Sequence, residues 1–141
     1  MKLRGHHLLC VLGFKGLGYS ESFVENMAEL VAQLRDSQDP AIEIVEGPDD
    51  ICLAAPHRVG DECGHKGPGS EERARQHDRR VLDWLWMSSG AVVRWSYVKE
   101  RIGGKMHPHD LASTCPTCPW RPLGVCAEGI EALRNSPRVV Q

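Results

Sequence analysis

The sequence predicts a mostly helical α+β domain in which two irregular loops carry cysteines. Three observations predict it. Apolar residues recur at helical spacing in well-separated windows, short alternating runs stand between those windows, and most cysteines sit in stretches rich in proline and glycine. The 141 residues suit one domain, 1–141, long enough to bury a core without disulfide staples.

The elements follow in chain order. MKLRGHHLLCVLGFKGLGYS opens with Lys2 and Arg4 and an apolar run from Leu8 to Phe14, which is too short for a secretory signal and lacks a small-residue cleavage site. Residues 22–35 form the clearest helix, with Phe23, Val24, Met27, Leu30, Val31 and Leu34 on one stripe and Ser22 with Glu25 as a capping box. Asp39-Pro40 ends it, and residues 41–45 alternate as a short strand with one buried face. Residues 70–87 form a second helix, opened by Ser70 with Glu71 and Glu72 in its first turn and lined inside by Ala74, His77, Val81, Leu82 and Leu85. Gly90 breaks it. Residues 91–95 give another short strand, a short helix from Ser96 carries Val98 and Ile102, and a last helix over 124–133 turns Ile130 and Leu133 inward. No linker separates these elements.

Hydrophobic content of 41% and charged content of 26% are globular values. A net charge of −2 offers no general attraction for nucleic acid or anionic lipid, and no run approaches the roughly twenty apolar residues of a membrane span. The expected location is the cytoplasm. In that reducing compartment six cysteines point to metal binding or catalysis rather than to disulfides.

The strongest motif is CPTCPWRPLGVC. Cys115 and Cys118 have the two-residue gap that lets both thiolates of a tight turn face one centre, and Pro116 and Pro119 stiffen the loop as in ferredoxin-type iron–sulfur sites. Cys126 follows at the start of the last helix, where the helix dipole favours a thiolate. A weaker copy, CLAAPHRVGDEC, places Cys52 and Cys63 at the same separation as Cys115 and Cys126, with Ala55 where the middle cysteine would stand. Cys10, in RGHHLLC, is the natural fourth ligand of the complete triplet. The expected cofactor is an iron–sulfur cluster, 4Fe–4S, on Cys10, Cys115, Cys118 and Cys126, with Cys52 and Cys63 as weaker candidates. Zinc is the alternative, since three cysteines and one further ligand satisfy a tetrahedral ion, although a zinc ribbon ordinarily supplies two complete pairs. Buried cysteines also occur as plain small hydrophobes, a reading that weighs on Cys52 and Cys63 more than on the triplet.

Other residues carry less. His6 and His7 are either proton donors or ligands beside the centre, or an ordinary polar pair. Asp49-Asp50 before Cys52 are either functional acids or a plain turn, and His6, His7 and Asp50 stand as catalytic candidates. His107-Pro108-His109 reads as a loop leading into a helical turn. Arg73, Arg75, Arg79 and Arg80, balanced by Glu71, Glu72, Asp78 and Asp83, read as a solvated helix face. Trp84, Trp86, Trp95 and Trp120 read as core or cluster-shielding residues.

RGHHLLC, GYSESFVENM, the strand leading into DDIC, the segment ending at Cys63, VLDWL and CPTCPW with its later cysteine occur in this order over nearly the full chain. In this the chain resembles the domain of unknown function 1284 family, small bacterial and archaeal proteins. The resemblance implies a metal cluster, with iron–sulfur binding suspected, and no established activity. It also implies a cysteine at position 55, so Ala55 puts the upstream set in doubt as a full ligand group.

Three functions fit these residues. The first is a cluster-binding protein for electron transfer or redox sensing, serving a redox partner protein or a small molecule, with the fourth ligand drawn from Cys10, Cys52 or Cys63. The second is a small enzyme whose cluster, held by three cysteines, leaves one iron open as a Lewis acid while His6, His7 or the Asp49-Asp50 pair moves protons, as in dehydration or sulfur removal. The third is a structural zinc module.

Overall fold

The structure is a computed structural model that describes residues 1–14, 16, 21–35, 38–54, 58–59, 62–63, 70–114 and 125–135. Strand β1 (Lys2–Arg4) runs into a one-turn helix α1 (His7–Cys10), then helix α2 (Glu21–Leu34) and strand β2 (Ala41–Val45). A 3-10 turn over Asp50–Ala54 precedes a small ribbon, β3 (Arg58–Val59) and β4 (Glu62–Cys63). Helix α3 (Ser70–Leu85), strand β5 (Val92–Arg94), helix α4 (Trp95–Lys105), a 3-10 turn over Pro108–Asp110, helix α5 (Leu111–Thr114) and helix α6 (Val125–Asn135) follow. The architecture is α+β and mostly helical, as the sequence predicts.

The main sheet has the order β1-β2-β5. β1 lies parallel to β2, with Leu3 opposite Ile44, and β5 lies antiparallel to it, with Ile42 opposite Val93. Alternation in β2 works as expected, because Ile42 and Ile44 are fully buried while their neighbours are not. Each such side chain contributes about 1.5–3 kcal/mol of burial. Met27 and Val31 of α2, Val81 and Leu85 of α3, Val98 and Ile102 of α4, and Ile130 of α6 join them in one hydrophobic cluster. Leu133 packs at its margin. Among the described residues no helix is long and apolar enough to cross a membrane.

Several local expectations change. α2 begins at Glu21, so Ser22 lies inside the first turn rather than at its cap. α3 ends at Leu85, because Trp86 adopts a left-handed φ of 56° that no helix continues. Trp86 therefore stands 75% exposed, with the Lys105 ammonium 3.8 Å over its ring, and half-exposed Trp84 donates its indole N–H to the Lys105 carbonyl. Only Trp95 joins the core as expected; Trp120 lies outside the described residues. The solvated face assigned to α3 is also revised. Glu71 and Asp78 are buried, and both serve Arg4.

Candidate functional site

β1 and α1 lay the residues RGHHLLC across two surfaces. The first is α3. Arg4 is 1% exposed, and its Nε donates to both carboxylate oxygens of Asp78 at 3.2 and 3.0 Å, while Nη1 and Nη2 donate to Glu71 at 3.3 and 2.9 Å. The two acids sit seven residues apart on α3, on the side that faces β1. Gly5 lets this approach happen: a Cβ there would lie 2.5 Å from the Asp78 carbonyl oxygen. Burial alone would lower the Arg4 pKa, but Asp78 and Glu71 outweigh it, and the guanidinium is held above its ordinary value. Asp78 is pushed upward by burial, with Arg4 pulling against that. Its Oδ2 also accepts from the Gly47 N–H at 3.3 Å.

His6 continues the network. Its backbone N–H and its Nδ1 both meet Asp78 Oδ1, at 3.3 and 2.7 Å. Burial, with the nearby His7 and Arg4 charges, holds His6 well below its ordinary pKa. The ring is therefore neutral, its Nδ1–H donates to the carboxylate, and Nε2 keeps its lone pair. His77 stacks on it, with ring centroids 4.2 Å apart, and is itself lowered to about 2 by burial and then by His6 and Arg80.

The second constellation gathers at the Asp50–Ala54 turn. Asp49 precedes the turn and caps it: Oδ1 accepts from the Ile51 and Cys52 N–H groups at 3.0 and 3.2 Å. Its Oδ2 accepts from the Arg4 N–H at 2.7 Å and lies 2.8 Å from His7 Nδ1. Burial would raise Asp49, but His7 and these donors overcome it and lower the carboxyl to about 2, so it is ionised. Cys52 is buried beside it, and burial together with the Asp49 charge pushes its thiol up to about 12. One ligand atom from each of His7, Asp49 and Cys52 lies within 4.8 Å of the others, a set of nitrogen, oxygen and sulfur donors.

Cys10 and Cys126, of the predicted ligand set, belong to other elements. Cys10 ends α1 and Cys126 is the second residue of α6; both are buried. α1 and the residues after it pack against α6, closely enough that a Cβ on Gly129 would come within 2.8 Å of Leu12. Cys115 and Cys118 lie outside the described residues, as do Ala55 and Pro56, and Cys63 is described at the backbone only, paired with Arg58. Asp50 turns away from the histidines: its Oδ2 accepts from the Lys2 N–H at 2.9 Å, and it is Asp49 that meets His7. His107 precedes a surface 3-10 turn that holds His109, as the sequence suggests.

A family model described as Protein of unknown function (DUF1284) matches residues 18–124. The chain belongs to this family. No curated protein and no solved structure matches it. The DUF1284 match takes in Asp49, Cys52, Glu71 and Asp78, whereas Arg4, His6, His7, Cys10 and Cys126 lie outside it.

Sequence reasoning missed Arg4, Glu71 and Asp78. A signal was present: Glu71, Asp78 and Leu85 follow at intervals of seven along the stripe that also holds Ala74 and Val81, so two acids interrupt an inward face. Acids there need a buried cation. Nothing in the local sequence names Arg4 as that cation.

Proposed function

We propose that this DUF1284 protein binds an iron–sulfur cluster, of the 4Fe–4S type, through Cys10, Cys115, Cys118 and Cys126, and uses it to transfer or sense single electrons. The observation that carries the reading is the packing of α1 on α6, which brings two buried cysteines 116 positions apart in the chain onto adjoining segments. Cys126 lies in the first turn of α6, where the positive end of the helix dipole favours a thiolate. Cys115 and Cys118 precede the same helix in the sequence. The described donors are soft and buried, which fits such a group. A cluster held by four thiolates supplies one-electron transfer, and the apolar surroundings of Cys10 and Cys126 would tune its potential by excluding water. The cytoplasm, where thiols stay reduced, is the location that suits this chemistry, and the partner would be a redox protein or a small redox molecule.

The test is anaerobic purification followed by visible spectroscopy and assays of iron, acid-labile sulfide and zinc. A brown protein with about four irons and equal sulfide per chain is expected, lost in both Cys118→Ala and Cys126→Ala. A colourless protein with about one zinc overturns the cluster in favour of a structural zinc module. Full iron occupancy in Cys118→Ala refutes the ligand set.

A further inference from the structure

We propose that His7, Asp49 and Cys52 form a second, mononuclear metal site that takes one divalent cation of the zinc class. This site does not depend on the cluster reading.

Three observations carry it. The first is the donor set. Imidazole nitrogen, carboxylate oxygen and thiolate sulfur together suit a borderline ion such as zinc, whereas magnesium and calcium prefer oxygen alone. The atoms already lie within 4.8 Å of one another, and ligands at zinc distances of about 2.0–2.3 Å would require only small side-chain adjustments.

The second is charge. Arg4 answers both Glu71 and Asp78, and Arg75 pairs with Glu71 as well. Asp49, with a side chain of 0% exposure, has among the described residues no ion-pair partner except His7. A divalent ion at the turn would balance this buried carboxylate.

The third is rigidity and access. Asp49 is fixed by three backbone N–H groups, from Arg4, Ile51 and Cys52, so its position does not rely on His7. His7 is 16% exposed and is the side of the site that meets solvent. Three protein ligands leave a fourth position for water or a substrate oxygen, the arrangement of catalytic rather than structural zinc.

The experiment titrates Co(II), a spectroscopic stand-in for zinc, into the full chain as wild type, Cys52→Ala, His7→Gln and Cys118→Ala. The proposal expects Cys52→Ala to bind about one Co(II) fewer than the wild type and to lose that ion's thiolate charge-transfer absorption. His7→Gln, at a partly exposed position, is expected to weaken the same ion by at least about tenfold. Cys118→Ala is expected to retain it. Equal Co(II) binding in wild type, Cys52→Ala and His7→Gln overturns the site, as does loss of this ion in Cys118→Ala. Failure of the cluster reading shows separately, as absence of iron and sulfide.

Discussion

Arg4, Gly5 and His6 rest on α3 through charge and hydrogen bonds, whereas Leu8 to Leu12, a few positions on, rest on α6 through apolar contact. Both contacts are close, and each depends on a glycine: Gly5 against the Asp78 backbone, and Gly129 against Leu12. The difference lies in what each surface demands. The polar bed must balance buried charge atom by atom, so it dictates identities. The apolar seam asks only for shape and volume, so it can present cysteines without constraining much else. A single segment of the chain thus joins an electrostatically specified bed to a cysteine-bearing seam.

The sharpest way to break this comparison is Arg4→Met, which leaves Glu71 and Asp78 buried without their cation. A loss of about 3–5 kcal/mol is expected in denaturant unfolding, because an unpaired buried carboxylate costs more than its pair contributes. The two glycines separate the surfaces. Gly5→Ala and Gly129→Ala should each cost about 1–3 kcal/mol through overpacking against atoms close to the backbone. On the proposed cluster reading, metal analysis then distinguishes them: Gly129→Ala is expected to lose iron by parting α1 from α6, while Gly5→Ala keeps it.

The smallest effect is read from pH. His77 takes up a proton near 6.5 when unfolded but only near 2 in the fold, so the unfolded chain binds more protons between those values. Its contribution is complete above about pH 6.5 and is lost as pH falls below it, by at most about 1.4 kcal/mol per pH unit. Stability measured between pH 7 and pH 5 should fall less steeply in His77→Phe than in the wild type.

What the sequence disclosed follows from how each element is held. α2 and β2 are held by repeating apolar contacts, and their periodicity located them within a residue; for α4 it located the start. β1 and α1 are too short for any period to develop, and Arg4 looks like a surface residue because its hydropathy carries no trace of a counter-ion 74 positions away. The candidate site divides the same way. Cysteine spacing drew attention to Cys52, Cys115, Cys118 and Cys126, and the histidines to the N-terminal segment. That Cys52 keeps company with His7 and Asp49, on separate elements, is a property of tertiary packing alone.

The long separation of Arg4 from its partners also sets an order of events during synthesis. A growing chain that has reached Ala54 already contains β1, its pairing strand β2 and the Asp49 turn, but neither Glu71 nor Asp78. Until α3 emerges, Arg4 has no counter-ion and must stay in water, so the first strand can pair with β2 yet cannot bury its arginine. His7, Asp49 and Cys52 are all present by then. The three donors can therefore meet a metal before α3 closes over the strand beside them.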